Sequence, residues 1–516
     1  FRSVKIRNDL MIKPFTMGAP INDAKTFPAY RESPNKFYVP HYYGIEQFGP
    51  PKEYKISEGN NINLEFNGKL RENQEIVVDT YIKHVNKVGY GGGLLELPCA
   101  YGKTVLSLNI ISRLKKKTFI IVHKEFLMNQ WIERIQQFLP AARVGKIQGP
   151  VIDVDNKDIV IGMLQSLSMK EYPASVFDSF GLTIIDEVHH ISSEVFSNSL
   201  FKLVTKYMLG LSATMNRKDG TTSVFKMFLG DVIFKGKRDE ERAVTVRAYE
   251  YYVNDDEFNE VKLDYRGKPQ YSTMISKLCE YNRRSEFILK ILSDLLKENP
   301  NQQAMILAHN KNLLKYLHDA VEHRNIATVG YYVGGMKESA LKETETKKVV
   351  IATYAMAAEA LDIKTLSTLI MATPKTDIEQ SVGRILRDKH SNPIVVDIVD
   401  SHDLFKNQWK KRKTFYKKEN YKIIYTVFND SNMRIYNNID ISDLNWTLIY
   451  EPKTDKKKEC ATTKNKKNIS IKSNSSSEKS ITNDSDSDDD NEAPEPENNS
   501  SKKGKIADDI CFLKIK

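Results

Sequence analysis

The fold of this chain is decided by the stretch Leu95-Glu96-Leu97-Pro98-Cys99-Ala100-Tyr101-Gly102-Lys103-Thr104, which continues as Val105-Leu106-Ser107-Leu108-Asn109-Ile110-Ile111. It predicts a strand that ends at a proline, then a tight loop, then a helix that opens at Lys103-Thr104. Such a loop can bind phosphate, because its N–H groups and the helix N-terminus point at an anion. Lys103 can reach the phosphates, and the Thr104 hydroxyl can hold Mg²⁺. The full phosphate-loop pattern would place glycine at Leu97, so this stretch alone does not distinguish a nucleotide site from an ordinary helix start. Residues further along the chain must distinguish them.

Short apolar, β-branched runs follow this loop and are separated by helical stretches, which is typical of a parallel sheet covered on both faces. In the first half of the chain these runs are residues 118–122, 158–162, 182–186 and 207–211. The alternation resumes after a mixed linker around residues 236–250 and a helical stretch over 283–296. The runs of the second half are residues 304–308, 348–352, 368–372 and 394–399. We therefore predict two α/β units in tandem.

Length and composition bound the remaining possibilities. A chain of 516 residues is too long for one core. The net charge of +10 is compatible with a nucleic-acid partner. Four scattered cysteines without CxxC spacing favour a reducing intracellular compartment over disulfides or a zinc ribbon. No apolar run reaches the roughly 18 residues of a membrane-spanning helix, so no membrane partner is expected.

The two ends of the chain differ from its centre. Residues 1–67 are rich in proline and aromatic residues, which predicts a small β-rich N-terminal module whose aromatic side chains serve packing. Residues 453–516 combine lysine clusters, serines and an aspartate run with few apolar residues, which predicts a disordered charged tail. The segment Trp409-Lys410-Lys411-Arg412-Lys413 is either a solvated basic helix or a nucleic-acid contact.

A pair of carboxylates follows one of the buried strands, in the sequence Asp186-Glu187-Val188-His189-His190. Ligands of parallel sheets bind at the carboxyl ends of the strands, where the phosphate loop also lies. Asp186 can hold Mg²⁺ there, and Glu187 can orient and deprotonate an attacking water. A metal site made by the two adjacent histidines is disfavoured, since their side chains point apart on one turn.

A third group of polar residues lies in the second unit, in Gln380-Ser381-Val382-Gly383-Arg384-Ile385-Leu386-Arg387. Arg384 and Arg387 are three residues apart and share one face of a helix. Two guanidinium groups on a separate lobe can reach a γ-phosphate when the lobes close, as arginine fingers do.

Together these residues resemble superfamily 2 helicases and translocases, and within them the XPB-type helicases and the transcript-release helicases of poxviruses. The resembling segments are 70–74 (an adenine-recognising Q element with Gln74), 97–104 (motif I), 120–131 (Ia), 161–167 (Ic), 186–189 (II, DExH type), 212–214 (III), 353–362 (V) and 380–387 (VI). Tyr101 stands where XPB-type loops have a small residue, and it either narrows the phosphate cradle or turns towards solvent.

The resemblance implies two RecA-like lobes, at residues 68–238 and 239–416, with a C-terminal extension at 417–452. It implies that ATP and Mg²⁺ bind between the lobes. Lys103 and Gly102 would lie at the phosphates, and Thr104 and Asp186 at the metal. Glu187 would activate water, and Gln380, Arg384 and Arg387 would complete the site from the second lobe. Asp362 would lie near the ribose and Gln74 at the adenine, while Ser212 and Thr214 would couple ATP and nucleic-acid sites.

The favoured function is an ATP-dependent DNA helicase or translocase in viral-type transcription or repair, with DNA as the main partner. Transcription proteins are candidate partners of the tail. The expected location is intracellular, in host cytoplasm, a virus factory or the nucleus, with virion association as an alternative. Three other functions stay open: an RNA helicase, the motor half of a restriction-type nuclease, and a nucleic-acid-binding scaffold with a vestigial ATPase. The nuclease is disfavoured because no carboxylate cluster follows Arg387.

Overall fold

The computed structural model describes residues 2–15, 26–88, 91–190, 193–215, 217, 219–236, 243–359, 363–386, 390, 392–430 and 444–453. The charged tail after Lys453 lies outside these residues. Within them, no helix combines the length and the apolar character needed to cross a membrane.

In its described residues, the N-terminal region contains four short strands in two antiparallel pairs, together with two helices that were not predicted. Its elements are α1 Arg2–Asp9, β1 Met11–Ile12, β2 Phe27–Pro28, β3 Arg31–Ser33, β4 Lys36–Tyr38 and α2 His41–Phe48. Tyr43 is buried in its small core, and its hydroxyl donates to Asp9 Oδ2 at 2.9 Å. Tyr43 is therefore one of the N-terminal aromatic residues whose side chain serves packing, as predicted.

The first lobe is a sheet of eight strands, counted over the described residues, between layers of helices. Its elements are α3 Glu72–Val88, β5 Gly91–Glu96, α4 Lys103–Leu114, β6 Thr118–Val122, α5 Glu125–Phe138, β7 Val144–Gln148, β8 Val151–Ile152, β9 Ile159–Met163, α6 Leu164–Met169, β10 Leu182–Ile185, α7 Ser193–Leu200, β11 Tyr207–Ser212, α8 Thr222–Leu229 and β12 Val232–Lys235. The strand order is β12-β5-β11-β10-β6-β9-β7-β8, and only the β7–β8 pair is antiparallel.

The second lobe repeats this architecture, again with eight strands in the part of the chain that is described. Its elements are β13 Thr245–Tyr252, α9 Asp256–Asn259, α10 Tyr271–Glu280, α11 Asn282–Glu298, β14 Gln303–Ala308, α12 Lys311–His323, β15 Val329–Tyr332, α13 Glu338–Glu345, β16 Val349–Thr353, α14 Tyr354–Glu359, β17 Leu366–Met371, α15 Glu379–Arg384, β18 Ile394–Asp400, α16 Asp403–Lys418, β19 Lys422–Asn429 and β20 Thr447–Tyr450. The order is β15-β16-β14-β17-β18-β13-β19-β20, and all pairs except β19–β20 are parallel.

These two mostly parallel sheets confirm the predicted tandem RecA-like fold. The predicted buried strands are present, because each run packs apolar side chains on both faces of its sheet. The prediction of a mixed linker around 236–250 was wrong for its second half, since β13 begins at Thr245 and lies between β18 and β19. Strands β19 and β20 come from the segment predicted as a C-terminal extension, and they pair into the sheet of the second lobe.

Two buried ion pairs tie helices of the second lobe to strand β18. Arg284 of α11 contacts Asp400 with both side chains fully buried, and its Nη1 donates to Ala372 O at 2.7 Å. Arg412 of α16 forms a two-bond fork with Asp397 at 2.8 Å. Arg412 therefore belongs to the core and is not part of a solvated basic face.

Replacement of Arg284 by methionine should destabilise the second lobe strongly. The variant leaves the Asp400 carboxylate buried without its charge partner, which costs about 3–5 kcal/mol in comparable sites. Lys347→Met is the matched control, since Lys347 pairs with Glu343 at 2.8 Å on the surface, where a pair is worth about 0.5 kcal/mol. Urea denaturation of both variants measures the difference. Equal losses would contradict this account of the pair.

Candidate active site

The candidate site lies at the carboxyl ends of neighbouring strands in the first lobe. Strand β5 leads into the phosphate-type loop, β10 leads into Asp186, and β11, which lies between them, ends at Ser212. Because these strands are parallel, their carboxyl ends share one edge of the sheet. The topology thus brings together three sequence segments that are far apart along the chain.

The loop before α4 has a tight, left-handed backbone. Ala100 has φ of 65° and Gly102 has φ of 89°. A Cβ at Gly102 would also lie 2.4 Å from Gln74 Nε2, so this position needs glycine for its backbone and for space. Helix α4 begins at Lys103, and its first N–H groups face the loop, as an anion cradle requires.

Tyr101 takes neither of the two orientations expected from the sequence. Its ring is buried in the core of the first lobe. Room for it exists beside Gly236, where a Cβ would lie 3.1 Å from the ring. The Tyr101 carbonyl oxygen accepts hydrogen bonds from Arg71 Nη2 at 2.6 Å and Gln74 Nε2 at 2.8 Å. The tyrosine therefore anchors the loop and leaves the cradle open.

Lys103 and the two carboxylates of Asp186-Glu187 form a cluster in which Asp186 is buried and the other two side chains are partly buried. Lys103 Nζ lies 2.6 Å from Glu187 Oε1. Burial alone would lower the pKa of Lys103, but the charge of Glu187 above all outweighs it, and the pKa is raised. Burial and the charge of Glu187 raise the pKa of Asp186 to about 6. Two carboxylates thus face one ammonium group, and this excess of negative charge suits a divalent cation.

Trp131 of α5 holds Asp186 in place. Its indole Nε1 donates to Asp186 Oδ2 at 2.9 Å, while the backbone N–H of Glu187 donates to Asp186 Oδ1 at 3.0 Å. Glu187 itself has a left-handed backbone, with φ of 48°, which is rare for a residue with a Cβ and recurs at functional sites. In the sequence analysis Trp131 appears only as the last residue of motif Ia. Nothing in the sequence around Trp131 indicates that its side chain contacts Asp186.

His189 connects the carboxylate cluster to the second lobe. Its Nδ1 lies 2.6 Å from Ser212 Oγ, and its Nε2 lies 3.1 Å from Gln380 Nε2. One proton arrangement fits these contacts: Gln380 donates to Nε2, Nδ1–H donates to Ser212, and Ser212 donates to Thr214 O. Nδ1 also lies 3.4 Å from Glu187 Oε2, which links the histidine to the carboxylate cluster. The sequence reasoning weighed this histidine only as a metal ligand. Its place in the DExH motif is the signal that marked it.

Arg217 fixes the backbone of His189 from the other side. Its Nη1 donates to His189 O at 2.6 Å, and its Nε donates to Asp219 Oδ1 at 2.9 Å. Although burial raises the pKa of Asp219, hydrogen bonds from Arg217 and Thr221 hold it at about 2. The segment after Ser212 is thereby tied to the DExH segment.

The remaining expected residues divide into three groups. Thr104 follows Lys103 in the first turn of α4, and Gln74 braces the loop, with its Oε1 accepting from Arg71 N at 3.0 Å. Arg384 is buried at the end of α15, four residues from Gln380 and so on the same helical face. Asp362 and Arg387 lie outside the described residues. Over the described part of the chain, no cluster of three or more His, Cys, Asp or Glu side chains could hold a metal ion.

Comparison with known proteins gives the family. The model of the family "Type III restriction enzyme, res subunit" matches residues 67–217. A protein of Acanthamoeba polyphaga mimivirus, named "Putative ATP-dependent RNA helicase", is 36% identical over 433 residues, which are 81% of this chain and 82% of that protein. The chain belongs to the superfamily 2 helicases.

More distant relatives of this helicase also come from large DNA viruses. A "Putative helicase" of Invertebrate iridescent virus 6 is 27% identical over 70% of this chain and 85% of its own length. An African swine fever virus protein, named "Putative ATP-dependent RNA helicase", is 27% identical over 72% of this chain and 76% of its own length. The solved structure of T4 UvsW aligns with 83% of this chain and 95% of its own, at 16% identity and a TM-score of 0.33.

Replacement of Trp131 by phenylalanine in this helicase should slow ATP turnover about tenfold. The ring keeps its packing, but Asp186 loses a hydrogen bond to a charged group, which is worth about 1.5 kcal/mol or more. Steady-state ATP hydrolysis measures the effect, and an unchanged thermal midpoint controls for folding. A wild-type rate would mean that Trp131 does not position Asp186.

Proposed function

We propose that this chain is a Mg²⁺-dependent ATP-driven translocase and helicase that acts on DNA. The observation that carries the proposal is the hydrogen-bond chain from Gln380 of the second lobe to His189 and Ser212 of the first, directly beside the Lys103–Glu187 pair. A site assembled from both lobes changes when the lobes move, so ATP hydrolysis and lobe closure are linked.

The roles of the site residues follow from charge and position. Lys103 and the N–H groups at the start of α4 bind the phosphates, and Thr104 and Asp186 hold Mg²⁺, which neutralises charge on the transferring phosphoryl group. A phosphate that binds Lys103 competes with Glu187 for the ammonium group. Glu187 is thereby released to take a proton from the attacking water.

The second lobe completes the site when the cleft closes. Arg384 and Arg387 stabilise charge on the γ-phosphate. Gln380 senses whether nucleotide is bound through its hydrogen bond to His189. Ser212 and Thr214 couple changes at the ATP site to the nucleic-acid strand that both lobes bind. From the family resemblance, Asp362 is assigned to bind the ribose, and Gln74 exchanges its loop contacts for the adenine.

DNA is the favoured polymer because the motifs of this chain resemble those of XPB-type and poxvirus transcript-release helicases. This resemblance favours a role in viral-type transcription or repair. RNA is the second candidate, because the names of the mimivirus and African swine fever virus relatives specify RNA. Both polymers would be held mainly through their phosphates, so binding should weaken with salt and ignore sequence.

Two substitutions separate ATP binding from ATP hydrolysis. Glu187→Gln keeps the shape of the side chain but removes the base, so ATP should bind while turnover falls at least a hundredfold. Lys103→Ala removes a phosphate contact, so both binding and turnover should fall. Nucleotide titration and phosphate release measure the two effects. Turnover at the wild-type rate in Glu187→Gln would refute the general-base assignment.

The polymer is identified by ATPase assays with single-stranded DNA, duplex DNA and RNA. We expect stimulation by DNA to exceed stimulation by RNA at equal phosphate concentration and ionic strength. The Glu187→Gln variant serves as the blank. Stronger stimulation by RNA would support the second candidate, whereas stimulation by none of the three polymers would reject both and favour a scaffold.

A further inference from the structure

A segment between β13 and α11 projects from the second lobe at the edge that holds its functional loops. Strand β13 is parallel to β18, so its carboxyl end lies at the same edge as those of β14, β16 and β17. The segment is fastened to that edge at two points. His402 Nε2 contacts Phe258 O at 2.8 Å, and the Tyr271 hydroxyl donates to Pro374 O at 3.0 Å.

The tip of this segment is a tight turn, residues 263–269, which we name the basic turn. Leu263 and Pro269 form an antiparallel bridge at its base. The Asp264 carboxylate accepts from Arg266 N at 2.8 Å and from Lys268 N at 3.0 Å, and Asp264 O accepts from Gly267 N at 3.0 Å. Gly267 has φ of 75°, which the turn requires. The side chains at the tip are therefore presented on a preorganised backbone.

An apolar ridge flanked by cations covers the basic turn. Tyr265 is 87% exposed, and Leu263 and Val261, at the preceding alternate positions, are 54% and 41% exposed. The Arg266 guanidinium lies 5.0 Å from the centre of the Tyr265 ring. Three cationic side chains, Lys262, Arg266 and Lys268, accompany this ridge.

Acidic neighbours take up only part of this positive charge. Lys262 pairs with Glu260 at 2.7 Å. The Asp264 carboxylate faces the turn's own N–H groups, as described above. Residues 260–269 hold three cationic side chains, Lys262, Arg266 and Lys268, and two carboxylates, Glu260 and Asp264, so this part of the segment has a net charge of +1. An exposed aromatic ring beside cationic side chains is the surface on which unpaired bases stack while phosphates bind alongside.

The rest of the same edge is also suited to a polyanion. His309 after β14 hydrogen-bonds Thr373 after β17, with His309 N donating to Thr373 Oγ1 at 3.1 Å. The His309 ring lies 4.7 Å from that of Tyr354, and Lys375 Nζ lies 5.1 Å from the Tyr354 ring centre. Pro374, to which Tyr271 fastens the projecting segment, precedes Lys375 in the chain. Tyr354 itself is buried in the core, so the groups that this edge offers to a polyanion are the partly exposed His309 and Lys375.

We propose that the basic turn is a single-strand contact of the second lobe, on which an unpaired base stacks against Tyr265 while Arg266 binds a neighbouring phosphate. This inference rests on the proposed function, and it adds a contact that the ATP site does not include. The turn lies far from Lys103 in the sequence and belongs to the other lobe, so its loss should change the grip on the strand and leave ATP chemistry intact.

The test measures binding of fluorescein-labelled oligothymidylate and oligouridylate to the full chain by anisotropy, across a salt series. Tyr265→Ala should lower affinity about tenfold without changing the salt slope, because a stacked base is lost and no charge is removed. Tyr265→Trp should restore affinity. Arg266→Ala should reduce the salt slope by about 0.7, the value for one phosphate contact of a single strand. Tyr38→Ala, an exposed tyrosine of the N-terminal region, is the matched control and should bind as wild type.

The outcomes separate this inference from the proposed function. ATP turnover without polymer should be equal in wild type, Tyr265→Ala and Tyr38→Ala. If wild type binds either oligonucleotide and Tyr265→Ala binds it within twofold, the basic turn is not a contact and the proposed function stands. If wild type binds neither oligonucleotide and its ATPase responds to no polymer, both are overturned. Equal losses in Tyr265→Ala and Tyr38→Ala would also overturn the specific role of the turn.

Discussion

The partly buried ion pair between Lys103 and Glu187 is the interaction on which the site depends. Removing two charges from water costs several kcal/mol for each ion, and their attraction compensates only when the geometry is tight. Here the contact is 2.6 Å, and Asp186 adds a second carboxylate, which is buried. A cluster with more negative than positive charge is poised to take up a cation, and its one ammonium group is poised to exchange a carboxylate for a phosphate. Parallel strands explain why these groups meet at all, since β5 and β10 deliver them to one edge.

Much of this arrangement could be predicted from the sequence, because the segments that form it are each short and continuous in the chain. Strands buried on both faces appear as continuous apolar runs, and the phosphate loop and the DExH segment are short and contiguous. Strand β13 was missed because it carries Arg247 and Glu250, which argue against a buried central strand. In the fold Arg247 pairs with Glu298 at 2.6 Å and Glu250 with Lys406 at 2.7 Å. Such partners are distant in sequence, so no window of residues around β13 reveals that its charges are satisfied.

The same reason limits what the sequence tells about the site. The orientation of Tyr101 depends on the space beside Gly236, and the hydrogen bond from Trp131 to Asp186 depends on how α5 packs on β6 and β9, next to β10. Residue types predicted which groups carry the chemistry, whereas the side chains that hold those groups in place are set by tertiary packing. Arg412 shows the converse error, since a run of basic residues suggested a solvated or nucleic-acid-binding face while its guanidinium lies against Asp397 in the core.

Among the described residues, the polar contacts between the lobes differ in their exposure to solvent, and this difference bears on movement. Lys342 and Glu133 pair at 2.8 Å with both side chains more than half exposed, and Asn129 contacts Glu338 at 3.0 Å on the surface. Each exposed pair of this kind stabilises the contact by less than about 1 kcal/mol, so these pairs can favour the closed arrangement of the lobes without preventing its opening. The contact between His189 and Gln380 is sheltered and lies beside the charged cluster. A change of charge at Lys103 or Glu187 therefore reaches the second lobe through a contact that solvent screens less than these exposed pairs, which open and close at little cost.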